Sequence, residues 1–220
     1  MAELALVTGG ETGIGRAIAV ALEGAGFEVR TASRRSGTDL TDRAGIELLV
    51  GGLPRLDLLV NNAGMAEAAP LKKTSDEMWD AHMALNATAP FLLCRAAFPL
   101  LEQAPRGRII NVGSTAGLEG APYIAAYAAS KHALLGLTRV LAAELKSIAV
   151  HAVCPGFVDS PLTDRAVQNI AAATDQTEAD ARAALAAMNP CGRLIRTDEV
   201  AAAVLELAEA KETGREVVLA

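Results

Sequence analysis

Leu4-Ala5-Leu6-Val7-Thr8-Gly9-Gly10-Glu11-Thr12-Gly13-Ile14-Gly15 runs from an apolar stretch into a glycine-rich turn, then into an apolar-periodic segment, Arg16 to Gly24. That order predicts a strand, a turn and a helix start, which together offer backbone N–H groups and a positive helix end to a phosphate. The glycines follow the spacing Gly9-x-x-x-Gly13-x-Gly15, so the turn is wider than the Gly-x-Gly-x-x-Gly form of the dinucleotide fingerprint. Without a ligand, the same stretch would be a tight strand-to-helix connection. The rest of the chain decides between the two.

Short β-like runs alternate with helical stretches along the whole sequence, the pattern of a parallel sheet covered on both faces. Strands are expected near 4–8, 27–32, 57–60, 108–113, 148–154 and 215–219, with Thr38-Asp39-Leu40 as a seventh. Helices are expected near 13–24, 75–103, 125–146 and 197–210. Right-handed crossovers predict an α/β, doubly wound (Rossmann-type) sheet in the order 3-2-1-4-5-6, with ligand at the carboxyl ends of the strands. At 220 residues and 51% hydrophobic content, the chain suits a single domain spanning 1–220. Within it, 159–190 has the position of a substrate lid, whose core Glu178 to Met188 has helical spacing.

Tyr127 and Lys131 lie four residues apart in a helical stretch and therefore share a face. An ammonium about 4 Å from a phenol, at an effective dielectric of about 20, is worth about 4 kcal/mol. That would draw the phenol from its ordinary pKa near ~10 toward working pH, where general acid–base catalysis is most efficient. A plain helix-surface contact has the same spacing, so the pair needs company. It has it in Asn61-Asn62-Ala63-Gly64 after a strand, Asn86, Ser114 after Asn111-Val112-Gly113, and Pro155-Gly156 after Val150 to Cys154.

Taken together and in this order, these motifs resemble the short-chain dehydrogenase/reductase family nearly from end to end. The resemblance implies a hydride-transferring oxidoreductase with Asn86, Ser114, Tyr127 and Lys131 as its catalytic group. Tyr127 would exchange a proton with the substrate oxygen, Lys131 would lower its pKa and hold the nicotinamide ribose, Ser114 would position the oxygen, and Asn86 would anchor a relay water. It also implies cofactor contacts from Gly9, Thr12, Gly13, Ile14 and Gly15, from Asp39 and Leu40 at the adenine, from Asn62, Ala63 and Gly64 below the adenosine, and from Pro155, Gly156, Val158 and Ser160 at the nicotinamide. Tyr123, Ile124, Leu162 and Met188 would line the pocket. The apolar lid is similar to those of 3-oxoacyl and 3-hydroxyacyl thioester enzymes. The family's relatives commonly form dimers or tetramers, which makes a homo-oligomer the expectation.

Nucleotide choice turns on Thr31-Ala32-Ser33-Arg34-Arg35. An acid here accepts the ribose 2′-hydroxyl of NAD, whereas an arginine accommodates the 2′-phosphate of NADP. Ser33 followed by Arg34 and Arg35 favours NADP, with NAD possible. Only three residues separate Arg35 from Asp39, where the family carries a helix, so the outer flank should be thin. Glu11 and Glu119 read as solvated, and the three histidines as surface or strand residues.

A net charge of −6, no basic run and 3% aromatic content argue against a nucleic-acid partner. No membrane partner is expected, since no apolar stretch reads as reaching the ~20 residues a bilayer span needs, and the start carries no recognisable cleavable signal. Cys94, Cys154 and Cys191 match neither a disulfide framework nor a metal site, so reduced thiols, no metal and a cytoplasmic location are expected. A dinucleotide-binding sensor without turnover is the alternative.

Overall fold

The computed structural model describes residues 2–220. Six parallel strands, β1 (Leu4–Thr8), β2 (Glu28–Ala32), β3 (Leu58–Asn61), β4 (Gly107–Val112), β5 (Ile148–Pro155) and β6 (Glu216–Leu219), form one sheet. Their order is β2-β1-β3-β4-β5-β6. This corrects the expected 3-2-1-4-5-6. The Thr38-Asp39-Leu40 segment makes no ladder, so nothing lies outside β2 and the third strand pairs directly with β1. Leu40 points inward and is buried beside Ile46 and Val50, which spends the segment on the core rather than on a seventh strand.

Among the described residues, eight α-helices connect the strands: α1 (Gly13–Gly24), α2 (Arg43–Gly51), α3 (Asp76–Met83), α4 (Ala89–Gln103), α5 (Ala125–Glu144), α6 (Pro161–Ala173), α7 (Glu178–Met188) and α8 (Thr197–Glu209). The expected helices 13–24, 125–146 and 197–210 are present with small shifts at their ends. Helices α2 and α6 were not foreseen. Asp42 starts α2 by accepting hydrogen bonds from the N–H groups of Ala44 and Gly45, a local cap that a nine-residue helix needs.

The sheet's central strands are fully buried, as expected for strands covered on both sides. On one face, Ile18 and Leu22 of α1 and Val200, Val204 and Leu207 of α8 pack against Ala5, Val7, Leu58 and Val60. On the other, Ile46 of α2 and Leu92, Leu93, Ala97 and Leu101 of α4 cover Leu6, Leu59 and Ile109. Each such Val, Leu or Ile side chain contributes about 1.5–3 kcal/mol relative to exposure.

The expected helix 75–103 is present but changes pitch at 84–88, where the N–H of Ala89 reaches back five residues to the Ala84 carbonyl. Pro90 has no N–H to give the Asn86 carbonyl four residues earlier, so the regular pattern cannot continue there. The full run Asp76–Gln103 is long and apolar enough to cross a bilayer by length and composition. That corrects the sequence reading of no such stretch. Here its apolar side lies on the sheet, as a core helix's does.

Candidate active site

The six motifs converge at the carboxyl ends of the strands. The Thr8 hydroxyl accepts from the N–H groups of Asn62 and Ala63, both at 3.0 Å, and donates to the Val60 carbonyl at 3.3 Å. The Asn62 amide donates to the Thr8 carbonyl at 2.8 Å. Residues after β1 and after β3 are thus sewn into one platform. Gly9 and Gly13 have positive φ, +66° and +52°, where a side chain would be strained. Gly15 is buried so tightly that a Cβ would strike the Gly9 carbonyl.

Thr12 precedes α1 without capping it, so no side chain satisfies the first-turn N–H groups. A Cβ on Gly13 would meet Pro161 at 3.2 Å, so Ser160 and Pro161, at the start of α6, lie over the glycine loop. Uncapped donors facing a cleft walled by glycines fit the pyrophosphate of a dinucleotide.

Deeper in, the Asn86 amide donates to the Met65 carbonyl at 2.9 Å and to the Ser130 hydroxyl at 3.0 Å, while its oxygen accepts from the Met65 N–H at 2.9 Å. Both amide protons are therefore committed to bracing the loop after β3 against α5. Gly64 lies beside this amide, and a Cβ there would meet the Asn86 oxygen at 3.1 Å.

Tyr127 and Lys131 share a face of α5, and the Lys131 ammonium stands 6.0 Å from the centre of the Tyr127 ring. It donates at 2.8 Å to the Val112 carbonyl, at the end of β4. Ser114 follows β4 and its hydroxyl lies beside the Tyr127 phenol. Asn86, Ser114, Tyr127 and Lys131 are thus brought together.

One electrostatic expectation fails. Burial pushes the Tyr127 pKa above its ordinary value, and the nearby Ser114 hydroxyl only partly offsets this. Burial also lowers Lys131 to about 8. The ammonium turns to the Val112 carbonyl rather than to the phenol oxygen, so removal from water outweighs attraction.

The residues expected at the nicotinamide form a second group. Pro155 ends β5, the Gly156 N–H donates to the Leu219 carbonyl at 2.7 Å, and Val158 is buried and bridges to Ile195. Asn189 was missed by the sequence reading. Buried, it accepts from the Phe157 N–H at 2.9 Å and donates to the Phe157 and Arg193 carbonyls at 2.9 and 2.7 Å. It pins the end of α7 to the turn after β5, and the Asn189-Pro190 pair after a helix was its only trace in the sequence.

His82 was also misread. It is fully buried on α3, bonded to the Glu67 N–H at 3.0 Å and to the Met78 carbonyl at 2.7 Å, and set edge-on to the Tyr127 ring at 6.4 Å. Its spacing to Met78 is an ordinary helical one, so no pattern marked it.

The segment expected to be the lid forms α6 and α7, joined by Arg182, which pairs with Asp159 at 2.9 Å and with Asp164. Leu162 and Ile124 are half-buried. Tyr123 and Met188 are exposed, and Tyr123 holds φ +70° while its carbonyl accepts from the Ala69 N–H at 2.7 Å.

On the outer flank, Ser33 caps the short turn Arg34–Ser36. Arg34 is exposed and lies 3.6 Å from Asp39, whose carboxylate also accepts from the Thr41 N–H and hydroxyl. Arg35 is exposed as well. Glu119 is exposed as expected, but Glu11 is not solvated: its Oε1 is shielded from water and has no hydrogen-bond partner. A cavity of about 640 Å³ opens at the opposite end of the sheet, beside Arg106, Lys146 and Lys211, and includes none of the motif residues.

The short chain dehydrogenase family model matches residues 36–171. The chain is 35% identical to the 3-oxoacyl-acyl-carrier-protein reductase FabG of Escherichia coli (strain K12), over 94% of this chain and 89% of that one. It is 40% identical to the inactive 2-(S)-hydroxypropyl-CoM dehydrogenase 2 of Xanthobacter autotrophicus, over 86% and 83%. The crystal structure of an actinorhodin polyketide ketoreductase variant with NADPH superposes with a TM-score of 0.90 at 30% identity, covering 99% of this chain and 95% of that one. The chain belongs to the short chain dehydrogenase family and is an NAD(P)-dependent oxidoreductase acting on CH–OH groups.

Proposed function

We propose that this protein interconverts a ketone and a secondary alcohol, with NADP(H) preferred, NAD(H) possible and a 3-oxoacyl or 3-hydroxyacyl thioester as the substrate class. The observation that carries this is the convergence of Ser114, Tyr127, Lys131 and Asn86 beside a glycine loop with uncapped helix donors. Bound nicotinamide would supply or accept the hydride.

The chain's own residues supply the proton and the geometry. Burial keeps the Tyr127 phenol protonated at neutral pH, so it stands ready to give its proton to a carbonyl oxygen that is becoming an alkoxide. The adjacent Ser114 hydroxyl holds that oxygen in line. Lys131, protonated below about 8, places a positive charge on the same face. Asn86 keeps the loop under the cofactor fixed to α5. Gly9, Gly13, Gly15, Asn62, Ala63 and Gly64 form the adenosine and pyrophosphate side, and Pro155, Gly156, Val158 and Ser160 the nicotinamide side. Ser33, Arg34 and Arg35 favour a 2′-phosphate, in keeping with the NADPH named for the similar ketoreductase structure. The apolar lid and the relation to a 3-oxoacyl reductase support the thioester class. Exposed Phe91 on α4 and Val140 on α5 suit a homo-oligomer, and unpaired cysteines suit the cytoplasm.

Titrating NADPH and NADH into purified protein, then assaying a 3-oxoacyl thioester, a cyclic ketone and a sugar, tests the reading. Binding with turnover on the thioester is expected. Binding without turnover on any of the three would favour the sensor reading, for which the inactive relative is the precedent.

A further inference from the structure

Two hydroxyls on the inner face of α5 are held in the same way. The Asn86 amide donates to the Ser130 hydroxyl at 3.0 Å, and that hydroxyl donates to the Tyr127 carbonyl at 2.7 Å. Two turns further on, the Asn111 amide donates to the Thr138 hydroxyl at 2.8 Å, and Thr138 donates to the Leu134 carbonyl at 2.8 Å. The first clamp adjoins the reacting groups. The second lies away from them, and the proposed reaction leaves it unused.

Asn111 is on the row of β4 that also holds Ile109, facing α4 and α5. Asn61 is its partner in register on β3 and donates to its side-chain oxygen at 2.8 Å. That bond takes the oxygen side of the Asn111 amide, so the N–H side faces Thr138. Asn61, Asn111 and Thr138 are each at most 2% exposed. Polar groups are costly there, and Asn61 keeps its own side-chain oxygen without a partner. Apolar side chains would avoid that cost, so packing alone does not account for the three polar residues.

We propose that Asn111 and Thr138 are positioning residues for the reaction: their hydrogen bond sets the end of β4 against α5 and so aligns the groups that each carries. Val112, next to Asn111, accepts from the Lys131 ammonium at 2.8 Å, and Ser114 follows two residues later. Lys131 and Tyr127 lie on the face of α5 that holds Thr138, two and three turns away. One clamp thereby registers strand against helix for the whole group. Asn61 extends it to the glycine loop, since the neighbouring Asn62 amide donates to the Thr8 carbonyl. Oriented hydrogen bonds in a buried place hold such a register stiffly, because breaking one strands a desolvated amide. The inference rests on the oxidoreductase reading.

Native protein is compared with Thr138→Val, Thr138→Ser and the double variant Asn111→Leu/Thr138→Val. Each is assayed by NADPH titration, by urea unfolding, and by turnover at stepped pH of the 3-oxoacyl thioester, or whichever of the three compounds native protein reduces. Removing both partners together can leave stability nearly untouched, so the double variant separates register from folding. Thr138→Val and the double variant should lose turnover at least about tenfold, as displaced reacting groups do, with the NADPH Kd within about threefold of native. Thr138→Ser, which keeps the hydroxyl, should stay within about threefold in both. In the two impaired variants the alkaline fall of turnover should move to lower pH, because Lys131 loses the carbonyl that favours its charged form. A folded double variant with native turnover and an unshifted pH profile overturns the inference, as does an equal loss in Thr138→Ser. If Thr138→Val fails to fold, the double variant decides; failure of both makes the pair structural and overturns the inference too. Native protein that binds neither nucleotide overturns the oxidoreductase reading, and this inference with it.

Discussion

The reaction face around Tyr127 and the outer flank from Ser33 to Leu40 lie at the same end of the sheet and are built by opposite means. Around Tyr127, the principal polar anchors reach across the fold: Asn86 to Met65 and Ser130, Lys131 to Val112, Thr8 to Asn62 and Ala63. Along the flank, the bonds are local, from Arg35 to Ser33, Ser33 to Ser36 and Thr41 to Asp39, and the side chains are largely exposed. Long-range bonds in a buried place fix geometry, because losing one strands a desolvated partner. Local bonds in water fix little beyond a turn. On the proposed reading, proton transfer is thus tied to the core, whereas nucleotide preference sits where single substitutions can change it.

That contrast can be broken first at Gly15. Gly15→Val would drive a side chain into the Gly9 carbonyl, and nucleotide binding should fall at least a hundredfold by fluorescence titration. Binding within tenfold of native would mean that the loop adapts like the flank.

Lys131→Met probes the buried charge by pH. Lys131 titrates at about 8 in the fold and near ~10.4 when unfolded, so between these values the unfolded chain binds more protons. Native stability should therefore rise relative to the variant as pH climbs through that window, by on the order of 3 kcal/mol. Urea unfolding at stepped pH reads the difference. Parallel curves for the two proteins would mean that Lys131 is not desolvated.

Asn86→Ala should cost about 2 kcal/mol by leaving the Met65 N–H and carbonyl without their partner. Denaturant midpoints measure it, and a cost under about 0.5 kcal/mol would place Asn86 with the flank residues. Arg34→Ala should have the smallest effect, within about 0.5 kcal/mol, as is usual for an exposed ion pair. A larger loss in the same assay would show the flank to be structurally coupled after all.

What could be read from the chain follows the same divide. The strands and the four helices were legible because apolar periodicity records packing, whereas Asn86, Ser114, Tyr127 and Lys131 were legible as a group only through the family resemblance, spacing alone having marked Tyr127 and Lys131. The seventh strand failed because Leu40, apolar as any strand residue, goes to the core beside Ile46. Helix α2 was missed because its start depends on the Asp42 cap rather than on a long apolar stripe. Glu11, His82 and Asn189 were misread or missed because each acts through partners distant in sequence or through burial. Nothing in their own neighbourhood announces that. The Tyr127 pKa was misjudged for a related reason: spacing showed the ammonium but not the desolvation.

The central claim is that Tyr127 gives and takes the proton while the rest of the cleft holds the nucleotide. Tyr127→Phe removes one hydroxyl from that site and tests it most directly, by turnover and by NADPH titration on the same preparation. The account predicts turnover lost at least a thousandfold with the NADPH Kd within about threefold of native. Turnover surviving within tenfold would contradict it.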